Sequence, residues 1–255
     1  MSEIKILFLI PARYQSSRFP GKPLAEINGL PLIGHVMNKV NMVASALREY
    51  RVQSCAVTDD ERILNKVEQL GFSSVLVKDE TVSGTDRVKL AYERFFQKGS
   101  WDLVVNVQGD EPLINPKDLV KLIKFHVKSN FDLGTIYNEI NYEEAKSPNK
   151  VKIAMAQNSG ACLYFSRSII PYDRDAQCGD RFFYGHVGVY SFRPASLIKM
   201  SELSETVLEK RECLEQLRAL ENGLTIGAVK SNNKLIGVDT PEDLNKVQEV
   251  LNEAN

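Results

Sequence analysis

Long apolar runs are missing from this chain. The first, Ile6 to Ile10, is five residues long and ends at Pro11. That is too short for the core of a signal peptide, and no other run approaches the roughly 20 apolar residues that a membrane-spanning helix needs. An excess of one charge is missing too, since 32 basic residues face 33 acidic ones. Proteins that coat nucleic acid or cling to anionic membranes carry a large basic surplus, so neither partner is expected. Cysteine and histidine are sparse. Cys55, Cys162, Cys178 and Cys213 form no C-x-x-C pair, and there are only three histidines. That spacing argues against zinc, and scattered thiols in a chain of 255 residues read as the reduced cysteines of a soluble cytoplasmic protein. The loop after the first apolar run carries neither G-x-x-x-x-G-K-[ST] nor G-x-G-x-x-G, which disfavours a P-loop NTPase and a dinucleotide-dependent dehydrogenase.

What is present is alternation. With 43% hydrophobic residues the chain can bury the core of one large domain, or of a domain with a modest elaboration. "IKILFLI" (4–10) has the near-continuous apolar character of a strand buried on both faces. Asn28-Gly29 marks a tight turn, and Pro31 opens a helix whose apolar residues recur from Leu32 to Leu47. "VQSCAVT" (52–58), "SVLVK" (74–78) and "DLVVNVQ" (102–108) are further strands, separated by helices over 62–71 and 85–96. A helix opened by Asn115-Pro116 follows. Such an order predicts an α/β fold with a doubly wound, mainly parallel sheet. After about residue 130 the strand-like segments "VKIAMAQ", "GACLYFS" and "HVGVYSF" suggest an antiparallel addition with few helices. One helix is expected over 205–223, and a last one after a cap at Thr240, Pro241 and Asp243. The expectation is a single domain over 1–255. One part would cover about 1–130 and 225–255, the other about 131–224.

Open α/β sheets bind ligands beyond the carboxyl ends of their strands. The first such loop, "IPARYQSSRFPGKPL" (10–24), holds Arg13, Arg18 and Lys22 and no acidic residue. Backbone amides with Arg and Lys make an anion site, although a solvated, proline-stiffened loop would look the same. "VQGDEPL" puts Gln108, Asp110 and Glu111 just past a buried strand, where a carboxylate can hold Mg²⁺ beside substrate phosphates. "GVDTPEDL" puts Asp239 in a similar place, and a helix cap alone would account for it. "SGTDR" (83–87) offers Ser83 and Thr85 as caps or as partners for a nucleoside. Asp173-x-Asp175 mimics the D-x-D of metal-dependent glycosyltransferases but lies in the turn-rich part, where a surface turn paired with Arg174 explains it. His35, on an apolar helix, reads as structural.

Taken in order, "IPARYQSSRFPGKPL", "AVTDDERI", "SGTDRV", "VNVQGDEPLI", "LYFSRSIIPYDRD", "HVGVYSFR", "LEQLRALENG" and "GVDTPEDL" resemble the 3-deoxy-manno-octulosonate (Kdo) cytidylyltransferases. The resemblance runs from about residue 5 to about 250, and is weakest over 132–147. It implies the reaction of CTP with Kdo to give CMP-Kdo and diphosphate, with Mg²⁺, for bacterial lipopolysaccharide. It also implies that the part over about 1–130 and 225–255 binds the nucleotide, and that the part over about 131–224 binds the sugar acid and builds a homodimer through the antiparallel addition. Carried over by position, it assigns Ala12, Arg13, Lys22, Ser83, Gly84, Thr85 and Gln108 to the nucleotide. Asp110 and Asp239 fall to the metal, and Arg18, Arg167, Tyr184, His186, Glu215 and Gln216 to the sugar acid. Lys22, Arg13 and Asp110 become the catalytic set. The alternatives are the same chemistry on an 8-amino Kdo analogue or a sialic acid, a metal-dependent glycosyltransferase, and a nucleotide-binding regulator without activity.

Overall fold

The structure is a computed structural model that describes residues 3–15, 19–81, 83–174, 182–233, 237–238 and 240–253. The chain divides into two compact units, Met1–Val120 with Leu235–Asn255, and Lys121–Lys234.

In the first unit β1 (Lys5–Ala12) leads through a short hairpin, β2 (Glu26–Ile27) and β3 (Leu30–Pro31), into α1 (Leu32–Ala46). The hairpin turn is Asn28-Gly29, both at positive φ, as the dipeptide predicts. Then come β4 (Arg51–Thr58), α2 (Glu61–Gln69), β5 (Ser74–Leu76), α3 (Gly84–Ala91) and β6 (Leu103–Asn106). The side chain of Asp60 caps α2 by accepting from the Arg62 amide, and Ser83 forms a reciprocal capping box with Asp86 on α3. All four long strands are parallel, in the order β5-β4-β1-β6. Ile6 to Ile10 of β1 are wholly buried, as the unbroken apolar run requires.

That order fixes where a ligand can go. From β1 the chain moves outward to β4 and β5, then returns to lay β6 on the other side of β1. The reversal opens a crevice at the carboxyl ends of β1 and β6, the switch point at which sheets of this kind bind ligands. The segment Gly237–Val238 returns to this end, with the Val238 amide donating to Asp110 O at 3.0 Å. A terminal helix begins after it.

The second unit begins within α4 (Pro116–Lys128) and continues through β7 (Leu133–Ile140), α5 (Tyr142–Ala145), β8 (Lys152–Ala156), β9 (Ala161–Ser166) and β10 (Phe183–Phe192). α6 (Pro194–Glu202), α7 (Val207–Glu212), α8 (Gln216–Glu221) and β11 (Ile226–Lys230) follow. α9 (Pro241–Glu253) belongs to the first unit, and Thr240 and Asp243 cap it reciprocally, as expected. Strand order in the second unit is β10-β7-β11-β9-β8, and β8 also pairs with β10. Three of the four pairings along that order are antiparallel, and β11 runs parallel to β7.

The segment 132–147, where the family resemblance is weakest, contains β7, which lies between β10 and β11. The single helix expected over 205–223 is two short ones, because Cys213 takes a left-handed conformation (φ 50°) and ends α7. The Arg218 guanidinium reaches back across the break to Glu209 at 2.5 and 2.8 Å, both residues being buried. The segment "KLIGV" (234–238), whose apolar residues read as a strand, falls mostly outside the described residues, and Gly237 and Val238 are not in a strand. Among the described residues no helix is long and apolar enough to cross a membrane.

Candidate active site

The loop after β1 is shaped by its own backbone. The Gly21 amide donates to Tyr14 O at 2.8 Å. Gly21 has φ +72°, and a Cβ there would press the Tyr14 ring at 3.3 Å, so only glycine fits without strain. A single 3-10 turn, Lys22–Leu24, follows with Pro23 inside it. This turn aims Lys22 inward: the residue is 9% exposed, and Nζ donates to Asp110 Oδ2 at 2.5 Å and to Val238 O at 2.8 Å. The loop after β6 comes equally close to β1. The Gly109 amide donates to Pro11 O at 3.2 Å, and a Cβ on Gly109 would lie 2.9 Å from that oxygen.

These contacts wall a cavity of about 110 Å³ at the switch point, lined by Ala12, Arg13, Lys22, Gly84, Gln108 and Asp110. Six of the residues assigned to nucleotide, metal or catalysis thus meet in one place. A second hollow of about 500 Å³ shares Arg13 and Gln15 with it. Ligand pockets run to roughly 300–1,000 Å³, so the first cavity alone is too small for a nucleotide. The floor of the second hollow is Arg87, which is 3% exposed. Its guanidinium donates to Val77 O at 2.5 Å and pairs with Asp59 at 3.2 Å. Burial pulls the Arg87 pKa below its ordinary value, with Asp59 opposing the shift and the charge of Arg13 adding to it. Asp59 also accepts from the Tyr14 amide at 3.2 Å, tying the cationic loop to the end of β4. The Arg62 guanidinium lies 3.4 Å over the Tyr14 ring.

Ser83 and Thr85 sit at the start of α3. The Ser83 hydroxyl accepts from the Asp86 amide at 3.1 Å, so the capping role read from the sequence is real. Thr85 is buried and reaches the side chain of Asn106. Arg18, Asp239 and Asp175 lie outside the described residues. His35 is structural as expected, with Nε2 2.9 Å from Ile27 O.

In the second unit, β10 carries Tyr184, His186 and Tyr190 on one face. A bulge inserts two residues between Val187 and Tyr190, and Thr135 Oγ1 bridges Val187 O and Val189 O across it. His186 Nε2 lies 3.1 Å from that same hydroxyl, and desolvation pushes the His186 pKa down to about 3, so the ring is neutral. Tyr190 lies beside it, with ring centres 5.3 Å apart, and desolvation first and Glu215 second raise its pKa well above the ordinary value. The buried hydroxyl of Tyr190 and the buried Nε2 of Gln216 have no hydrogen-bond partner among the described residues. Such groups await a polar ligand or water. Tyr184 accepts from Gln157 Nε2 at 3.0 Å. Arg167 differs from its neighbours: its guanidinium donates to Glu212 O, Pro148 O and Cys213 O at 2.6, 3.0 and 3.3 Å. It braces the break between α7 and α8, which sets the start of α8 at Gln216.

Sequence reasoning missed Tyr190, Asn106, Asp59 and Arg87. The alternation of "YGHVGVY" does put Tyr184, His186 and Tyr190 on one strand face. Nothing local marked Asp59 or Arg87 beyond their place at strand and helix ends.

A sequence profile of the Cytidylyltransferase family matches residues 7–226. The chain is 38% identical over 252 residues to the 3-deoxy-manno-octulosonate cytidylyltransferase of Parabacteroides distasonis, covering 95% of this chain and 96% of that one. It is 40% identical over 251 residues to the 8-amino-3,8-dideoxy-manno-octulosonate cytidylyltransferase of Shewanella sp. strain W3-18-1, covering 97% and 99%. Among solved structures, CMP:2-keto-3-deoxy-manno-octonic acid synthetase complexed with CTP superposes with a TM-score of 0.90 at 35% identity, over 98% of this chain and all of that one. The chain belongs to the cytidylyltransferase family, in the group formed by the 3-deoxy-manno-octulosonate cytidylyltransferases and their 8-amino counterparts.

Proposed function

We propose that this protein transfers CMP from CTP to Kdo, releasing diphosphate, and so supplies an activated sugar acid for lipopolysaccharide. The observation that carries the reading is the meeting of Arg13, Lys22 and Asp110 at one cavity on the switch point, in a chain that matches Kdo cytidylyltransferases over nearly its whole length.

Mg²⁺ suits the donor set. Asp110 offers a hard oxygen ligand that already holds a cation, the Lys22 ammonium. Mg²⁺ commonly takes one or two carboxylates plus substrate phosphates. Asp110 would hold the ion together with Asp239, and a bound ion supplies positive charge at the phosphoryl oxygens. The chain's own groups do the rest. Arg13 presents a planar fork to two phosphate oxygens, and Lys22 a compact charge on a flexible stem that can turn from Asp110 to the transferring phosphoryl group. Ala12, Ser83, Gly84, Thr85 and Gln108 hold the cytidine. Arg18, Tyr184, His186, Glu215 and Gln216 hold the sugar acid, joined by Tyr190, and Arg167 acts through the turn it braces. His186 is held neutral and serves as a hydrogen-bond partner, a poor base for the attacking hydroxyl. That hydroxyl, on C2 of the sugar acid, displaces diphosphate in line at the α-phosphorus.

The 8-amino Kdo analogue is the second reading, because identity to an enzyme of that name is as high. A homodimer is part of the proposal. Leu163, Tyr172, Phe182 and Val207 of the second unit are large apolar side chains left 58–84% exposed. A cytoplasmic location fits the free thiols of Cys55 and Cys162. Diphosphate release should be measured with CTP, Mg²⁺ and a panel of Kdo, its 8-amino analogue and a sialic acid. Release with Kdo supports the proposal, and release only with another acid moves the substrate. CTP binding without release from any acid would refute the enzyme reading.

A further inference from the structure

β6 ends in a residue that does not belong in its surroundings. Leu103, Val104 and Val105 are fully apolar and at most 1% exposed, and Asn106 beside them is 0% exposed. An amide buried this deeply is tolerated only when its donors and acceptor are used. Asn106 Oδ1 accepts from Gln108 Nε2 at 3.1 Å, and its Nδ2 reaches Thr85 Oγ1 at 3.5 Å. Thr85, on the first turn of α3, is 5% exposed. A side-chain relay, Thr85–Asn106–Gln108, therefore runs beneath the cavity from helix to loop.

The relay has a polarity. With Asn106 Oδ1 turned to Gln108, the Gln108 amide must present its NH₂ group inward. Turned over, it would set two oxygens against each other at hydrogen-bond distance. The Gln108 carbonyl is left to face outward. It lies 3.3 Å from the point where a Cβ on Gly84 would stand, and both residues line the cavity. We propose that Asn106 is a positioning residue: it locks the Gln108 amide so that its carbonyl faces the nucleoside as an acceptor and selects a ligand that offers an N–H or O–H there. Two groups of a cytidine nucleotide fit that description, the exocyclic amine of the base and a ribose hydroxyl. Uracil offers no such amine.

The inference rests on the cavity being the nucleotide site, and its test keeps the two apart. CTP binding to the parent protein is measured first by calorimetry. No binding overturns the nucleotide reading and the inference with it. Asn106→Leu removes the acceptor at nearly constant volume, and Asn106→Asp keeps it. Loss of one neutral hydrogen bond and of the orientation it fixes predicts about a tenfold rise in Kd and KM for CTP in Asn106→Leu. Its kcat should stay within about twofold and its KM for the sugar acid should not change, while Asn106→Asp should recover most of the loss. The double variant Asn106→Leu/Gln108→Leu should bind CTP no worse than Gln108→Leu alone, because the first change acts through the second residue. If Asn106→Leu does not fold, the smaller Asn106→Ala removes the same acceptor and should weaken CTP binding to a similar degree. A folded relay variant with parent-like CTP binding, an additive double variant, or a fall in kcat with KM unchanged would overturn the proposal. UTP, 2′-deoxy-CTP and 3′-deoxy-CTP identify the donor. A narrowed preference for CTP over UTP in Asn106→Leu assigns the amine, and an effect that vanishes with one of the deoxy analogues assigns that hydroxyl. An effect indifferent to all three overturns the acceptor role.

Discussion

Replacing Lys22 by methionine separates charge from packing. The stem keeps its length and apolar contacts, while Nζ and its bonds to Asp110 Oδ2 (2.5 Å) and Val238 O (2.8 Å) disappear. A hydrogen bond to a charged group is worth about 1.5–3 kcal/mol. The Asp110 side chain keeps 32% of its surface in water, so solvent replaces much of what the ammonium gave. A net loss of about 1–2 kcal/mol follows, and in a chain of this size that lowers Tm by roughly 2–8 °C. Turnover should fall much further, because a donor aimed at charge that develops in the transition state is worth roughly 100- to 1,000-fold in rate. The two effects are read on one preparation, by thermal melting and by diphosphate release with CTP, Kdo and Mg²⁺. Turnover within about tenfold of the parent would refute a place for Lys22 at the transferring phosphoryl group. A Tm drop well beyond 10 °C would make its role mainly structural.

Two further outcomes are expected. Gly109→Ala puts a methyl 2.9 Å from Pro11 O and 3.2 Å from Ile33 Cδ1, so it should cost about 1–3 kcal/mol and weaken CTP binding. A variant that melts and binds like the parent would mean that the two strand-end loops part freely. The second concerns pH. His126 is fully buried between Ser191 Oγ and Phe131 O, and desolvation pulls its pKa down to about 4 from an unfolded value near 6.5. The unfolded chain therefore binds the extra proton first, and stability present above pH 6.5 is lost as the pH falls toward 4. Between pH 7 and pH 5 the loss should be on the order of 2 kcal/mol by urea unfolding. His126→Gln should flatten that slope, and an unchanged slope would rule His126 out as its source.

Much of the nucleotide half was legible because its signals are local. Ile6–Ile10 needed no partner to read as a buried strand, Asn28-Gly29 encodes its own turn, and the caps at Asp60, Ser83 and Thr240 are set within three residues. The cationic loop was readable because three cations without an acid is a pattern in one dimension. What stayed hidden depends on partners far along the chain. β7 holds Gly134, Asn138 and Glu139, which disfavour a strand, and it exists because β10 and β11 flank it. The break at Cys213 interrupts a good helical pattern, and the bracing of its carbonyls comes from Arg167, 46 positions earlier. The same fact explains why Arg167 could be read as a ligand: the sequence shows a cation, not the carbonyls it faces. Asn106 looked like one polar letter in an apolar strand, and only its two side-chain neighbours give it a purpose.

The bond from Lys22 to Val238 O has a consequence for how the protein is made. The cavity draws on the residues around 12–22, 84 and 108–110, all synthesised in the first half of the chain. Its closing strap, with the Val238 amide on Asp110 O and the Val238 carbonyl on Lys22 Nζ, arrives 128 residues after Asp110, since 238 − 110 = 128. A nascent chain can pair β1, β4, β5 and β6 early, but it holds Lys22 and Asp110 without their third partner until the last part emerges from the ribosome. At the usual pace of about 5–20 residues per second the wait is roughly 6–26 seconds. The site is thus finished only once Val238 is made, and chains released short of it would carry the cationic loop and the aspartate without the strap that joins them.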